Sequence, residues 1–240
     1  MAFRPLVVAT IVAFTAGLVV ASFAGFREFL PGLLGGALIT IEITIGGSVL
    51  AVIMAFVAAV GKMYGPPPVR WLAVAYIEIF RGTSALVQLF WLFFVLPHFG
   101  VLLEPMTVAI LALGLNVGAY GAEVVRGAIS AVHRGQWEAA TALNMTRMDA
   151  LRRIIVPQAI VRMIPPWGNL FIELMKATSL VSLITIGDLA FKAQQMNATT
   201  FRTVEIFTIV LVFYLAIASI ITVAMRALEE RAARGLARGR

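Results

Sequence analysis

The chain has 240 residues, of which 61% are hydrophobic and 13% charged, with a mean hydropathy of +0.96. A soluble domain carries roughly a quarter charged residues, so this chain has too few to cover a water-facing surface. It has no cysteine and only two histidines, His98 and His133, which excludes disulfides, thiolate metal sites and a local histidine metal motif. The net charge is +7 and 16 of the 19 basic residues are Arg, but these charges lie between long apolar runs. That pattern describes a polytopic membrane protein and not a nucleic-acid binder.

Six runs are long enough to cross a bilayer as helices, near 5–26, 33–61, 71–96, 106–132, 164–186 and 205–226. None alternates as a barrel strand would, so the expected fold is all-α, a polytopic membrane helix bundle. Residues 1–30 read either as a retained anchor span or as a signal-like segment, the latter because of Val20-Ala21-Ser22-Phe23-Ala24. The expected breaks are Pro31-Gly32, Gly65-Pro66-Pro67-Pro68, Pro97, Pro105 and Pro165-Pro166. With both termini on one side, that side holds 14 basic residues and the opposite loops hold three, Arg27, Lys192 and Arg202. The basic side is the cytoplasmic one. The C-terminus is therefore expected in the cytoplasm, with 231–240 as a basic tail.

Three apolar runs each hold an acid followed three residues later by a base: Glu78/Arg81, Glu123/Arg126 and Glu173/Lys176. An ionised side chain at the bilayer centre costs about 2.5–3.5 kcal/mol on insertion scales, and a spacing of three lets the members pair on one helix face. The pairs read either as structural ties or as the lining of a polar route for a ligand bearing both charges. Glu42 has no base three or four residues away. Gly114, Gly118, Ala119, Gly121 and Ala122 read as close helix packing.

Residues 133–163 are the one long polar stretch. Leu143, Ile154 and Ile155 suggest short amphipathic helices, ended by Pro157; an interfacial helix on anionic headgroups is the other reading. Glu138-Ala139-Ala140, then Asn144, then Ile154-Ile155-Val156-Pro157 resembles the EAA loop of ABC-importer permeases, with Asn144 at the usual Gly and Val156 at the usual Leu. Asn tolerates left-handed backbone, so the turn can survive. Three more segments resemble the polar amino-acid subfamily, which includes the histidine and glutamine permeases. They are Phe80-Arg81-Gly82-Thr83-Ser84-Ala85-Leu86-Val87-Gln88, Gly118-Ala119-Tyr120-Gly121-Ala122-Glu123-Val124-Val125-Arg126-Gly127 and Lys176-Ala177-Thr178-Ser179-Leu180-Val181-Ser182.

The resemblance implies a five-helix importer core plus one extra N-terminal span, with the permease domain at 31–230 and its coupling loop at 133–163. It implies a pore subunit of the bacterial inner membrane and not an enzyme. The chain has no phosphate-binding GxxxxGK[ST] loop, so no cofactor is expected in it; a partner ATPase binds ATP and Mg. The other implied partners are a second permease subunit, identical or a sister chain, and an extracytoplasmic solute-binding protein. No nucleic-acid partner is expected. For ATPase coupling the motif implicates Gly135, Glu138, Ala139, Ala140, Asn144, Arg147 and Pro157. On the substrate path the expected residues are Arg81 for a carboxylate and Glu123 for an ammonium, supported by Glu78 and Arg126, with Lys176 and Ser179. The substrate class is a polar amino acid or a related zwitterion, compatible solutes such as ectoine included. An autonomous secondary transporter using the intramembrane carboxylates is the alternative.

Overall fold

The computed structural model describes residues 25–237, with side chains placed for 28–234. The span expected near 5–26 lies outside the described residues but for its last two positions. The described chain is all-α: α1 (Gly25–Tyr64), α2 (Pro67–Gly82), α3 (Ala85–Phe90), α4 (Pro105–Ser130), α5 (Arg134–Ala142), α6 (Arg147–Ala150), α7 (Val156–Ala177), α8 (Leu189–Thr200) and α9 (Thr203–Ala237). Three segments, Glu28–Tyr64, α4 and Thr203–Arg234, are long and apolar enough to cross a membrane. Two further helix pairs pass the same test together but are bent, 67–99 by 107° and 147–200 by 52°, as a broken span or a re-entrant loop is. With each pair taken as one span the described residues hold five, the number in the expected core, and the segment expected at 71–96 is sharply broken.

Proline punctuates less than the sequence suggests. Pro31 lies inside α1 and Pro165-Pro166 inside α7, so neither pair of residues ends a helix. In lipid every abandoned backbone bond costs several kcal/mol, so a helix that loses two bonds to prolines still outcompetes a coil that loses them all. Pro157 does not end the coupling loop either; it sits in the first turn of α7. Single π turns at Trp91–Val95 and Leu151–Ile155 each end two residues before a proline, Pro97 and Pro157. A π turn passes the hydrogen bond to the carbonyl five residues back, and this turns the four-back carbonyl away from the proline ring.

Helix α4 is the centre of the bundle, with Val108, Ala112, Leu113, Val117, Ala122 and Val125 all buried. Helix α1 lies along it. The small-residue stripe makes this approach possible: a Cβ on Gly118 would stand 2.8 Å from the Tyr76 hydroxyl and 3.1 Å from the Ala51 carbonyl. The end of the bundle bearing residues 133–155 is termed the loop end. At the far end a second core of Phe29, Leu33, Leu189, Ile206 and Ile209 joins α1, α8 and α9. Arg202 staples that end, 3.6 Å from Glu28, 3.3 Å from Glu205 and 5.3 Å above the Phe29 ring.

The second break is held from inside. Asp188, wholly buried, caps α8 by accepting from the N–H groups of Phe191 (2.9 Å) and Ala190 (3.2 Å), and Thr40 on α1 accepts from that of Leu189 at 3.3 Å. Gly36 lets α1 touch this junction. A Cβ there would stand 2.8 Å from the Asp188 carbonyl oxygen and 2.9 Å from Leu189 Cα, whereas one on Gly35 meets nothing within 4 Å. Because the obstacle is backbone, it has little room to give. Gly36→Ala should destabilise the purified protein by about 1–3 kcal/mol, as overpacking does, and Gly35→Ala should leave the thermal melting point unchanged. Equal melting of both variants would refute the contact.

Candidate functional site

The loop end carries a short helical hairpin. His133 opens α5 by accepting from the Gly135 N–H at 3.1 Å. The helix closes on a Schellman turn: the Met145 N–H donates to the Ala140 carbonyl (3.0 Å), the Asn144 N–H to that of Thr141 (2.9 Å), and Asn144 is left-handed at φ 56°. Asn at the usual glycine position therefore keeps the turn. Thr146 then caps α6, accepting from the Asp149 N–H at 3.2 Å.

Buried Ala140 and part-buried Trp137 anchor α5. Gln158 on α7 donates to Gln136 at 3.1 Å, and Arg162 bonds the Ala131 carbonyl at the end of α4. Glu138, Ala139 and Arg147 remain exposed. Leu143 does not face inward as its pattern suggests; it is 74% exposed at the turn, because the αL residue ends the helix one position later and leaves Leu143 on the tip. Between the hairpin and the ends of α1 and α4 lies a groove of about 1100 Å³ lined by Met63, Tyr64, Trp137, Glu138, Met145 and Arg147, among others.

A polar strip runs up α4 from this groove. Glu123 stands about 10 Å above Ser130 by helix rise, Tyr120 one turn further and Asn116 beyond it. Each meets a partner from another element. Lys62 Nζ, at the end of α1, lies 2.7 Å from Glu123 Oε1, and Arg126 Nε lies 2.8 Å from Oε2. The Arg81 guanidinium sits 5.4 Å above the Tyr120 ring, and the Tyr120 hydroxyl donates to the Arg81 carbonyl at 3.4 Å. Asn116 donates to the Phe80 carbonyl (3.0 Å) and to Gln88 (3.2 Å). Gln88 itself donates to the Phe80 carbonyl (2.9 Å) and the Thr83 hydroxyl (2.6 Å), tying the 107° break between α2 and α3.

Of the three acid–base pairs expected from spacing, the structure forms Glu123/Arg126 alone. Among the described residues no ion pair joins Glu78 to Arg81 or Glu173 to Lys176. Glu78, Arg81, Glu173 and Lys176 are all exposed on this chain, and Arg81 stacks on Tyr120 instead. Spacing of three permits a contact, but an exposed pair gains only about 0.2–0.5 kcal/mol from it, less than the aromatic face offers a cation. Glu42 is also exposed. Lys176 lies in the last turn of α7 and Ser179 in the 3₁₀ segment that follows it, where Ser179 donates back to the Lys176 carbonyl at 2.9 Å. Lys62, Gln88 and Asn116 were not legible as site residues. Lys62 and Glu123 lie 61 positions apart, and the only hint was that both approach one end of the bundle.

Comparison with known proteins agrees with this architecture. Residues 47–234 match the family described as binding-protein-dependent transport system inner membrane component. The chain is 45% identical over 215 residues to the probable amino-acid ABC transporter permease protein y4tF of Sinorhizobium fredii, covering 87% of this chain and 90% of that one. It is 38% identical over 213 residues to the L-cystine transport system permease protein TcyB of Bacillus subtilis (88% and 91% covered). Against the glutamine transport system permease protein GlnP of Escherichia coli it is 36% identical over 204 residues (84% and 93%). A crystal structure of an amino acid ABC transporter with histidines superposes with a TM-score of 0.81 at 34% identity, covering 87% of this chain and 98% of that one. Such permeases are pore subunits and not enzymes; they work with an ATPase and a substrate-binding protein, so the autonomous secondary transporter is set aside. The chain belongs to the family of binding-protein-dependent ABC-importer permeases, multi-pass proteins of the bacterial inner membrane.

Proposed function

We propose that this permease passes a polar amino acid inward along the α4 strip and that the hairpin at residues 133–155 couples the step to the ATPase. The observation that carries the reading is the pairing of a cation at membrane depth, Arg81 on Tyr120, with a carboxylate one helical turn away, Glu123, above a rigid exposed hairpin. A zwitterion needs both charges: Arg81 is exposed beside its aromatic face, and Glu123 would take an ammonium in exchange for Lys62, the cation held from another helix. The relatives are named for amino acids, cystine and glutamine among them, which favours an amino acid over a compatible solute such as ectoine. The exposed Glu78, Arg81, Glu173 and Lys176 suit a second permease subunit facing this one. The basic loop 133–163 and the C-terminal Arg residues favour the cytoplasm for the loop end and the C-terminus.

For coupling, Leu143 at the tip offers an apolar knob, and Glu138 and Arg147 offer charges for salt bridges with the ATPase. Gly135, Ala139, Ala140, Asn144 and Pro157 act by shaping the hairpin that presents them. Placing like charges face to face across an interface costs several kcal/mol. Glu138→Lys should therefore leave the permease folded in the membrane and lower binding-protein-stimulated ATP hydrolysis in proteoliposomes by at least about tenfold. Full transport by that variant would overturn the assignment.

For the substrate path, losing a hydrogen bond to a charged group costs about 1.5–3 kcal/mol. Arg81→Gln should accordingly raise the transport KM by about tenfold or more in complexes that still assemble. Glu78→Gln should leave KM unchanged. Equal loss of assembly in both variants, with an unaltered KM in what remains, would make both residues structural.

A further inference from the structure

Lys62 belongs to none of the motifs that carry the family resemblance, yet it makes a short ion pair between elements. It bridges the last turn of α1 to the middle of α4. The next two residues, Met63 and Tyr64, line the groove against the coupling hairpin. Glu123 stands on the polar strip, so one side chain joins the strip to the groove. The two cations on Glu123 are not equivalent. Arg126 binds Oε2 from the same helix at spacing three, and that contact survives any rigid motion of α4. Lys62 binds Oε1 from α1, and that contact breaks whenever the loop ends of α1 and α4 part. The Lys62 and Glu123 side chains are 25% and 20% exposed. The bridge is therefore screened weakly enough to hold, while water can still reach it when it opens.

We infer that Lys62 is a positioning residue for coupling. Its bridge to Glu123 latches the loop end of α1 onto α4 in the resting transporter, and the latch must open for motion at the hairpin to reach the substrate strip. The inference rests on the transport reading above and adds to it the element that transmits.

The test uses the assembled complex of permease, ATPase and binding protein in nanodiscs. Lys62→Met should raise hydrolysis in the absence of binding protein by about fivefold or more, the scale on which losing one charged contact shifts a two-state balance. Lys62→Arg, which keeps the cation, should hold the low resting rate. A second measurement does not depend on the fate of Lys62→Met. The chain has no native cysteine, so the K62C/E123C double variant can be joined by a short bifunctional thiol reagent and released by reductant. Compared within that one variant, the joined complex should hydrolyse ATP at a low rate that binding protein does not raise, and reduction should return it to the raised resting rate of an unlatched transporter. Wild-type resting rates in an assembled Lys62→Met complex, or full stimulation while joined, would each overturn the latch. A wild-type complex that binding protein never stimulates would instead refute the transport reading itself.

Discussion

The structure depends on one constraint: in a bilayer, a peptide group or charge without an internal partner costs several kcal/mol. This explains why α1 and α7 run through prolines that would end helices in water, and why interruptions occur only where side chains replace the lost bonds. At the first break Gln88 and Asn116 converge on the Phe80 carbonyl. At the second, Asp188 and Thr40 take the first N–H groups of α8. The two breaks differ in sequence but share a chemistry, a side-chain amide or carboxylate standing in for a turn of helix.

The same constraint sorts the charges. Glu123 sits where burial penalises a carboxylate, and it keeps its place because two cations bind its two oxygens. Arg81 solves the opposite problem by lying on an aromatic face, where its nitrogens stay open to a ligand or a neighbouring subunit. Glu78, Glu173 and Lys176 have no such solution among the described residues. Their exposure on an apolar protein calls for water or a polar neighbour beside them.

Much of this was legible in the sequence. Runs of apolar residues located four of the five core crossings within a few residues, because hydropathy reports the one property lipid selects. The Glu138-Ala139-Ala140 motif located the hairpin, and Asn144 took the left-handed turn that its side chain permits. What escaped the sequence was set by partners distant along the chain. The 107° bend at Thr83-Ser84 is built by Asn116, and the choice of Arg81 between Glu78 and Tyr120 is made by α4. Proline marked the breaks at Pro66-Pro67, Pro97 and Pro105 but not at Pro31 or Pro165-Pro166, since its local rule assumes that water will accept the bonds it breaks.

The two ends of the bundle are held in different ways, and the difference bears on how it moves. The far end is closed by a continuous apolar core, by backbone caps and by Arg202 over Phe29, contacts that bury surface and resist separation. At the loop end the apolar core of Ala58, Ala59, Val125 and Ile129 continues between α1 and α4, but it is bordered by an open groove and by the ion pair of Lys62 with Glu123; the hairpin is held by Ala140, Trp137 and Ile155 and by the amide bond of Gln158 with Gln136. Ionic and single polar contacts exchange with water at far lower cost than packed apolar surface. The polar contacts of the loop end are therefore easier to open than its packed core. In the latch proposed above, the contact between Lys62 and Glu123 is the one that opens first.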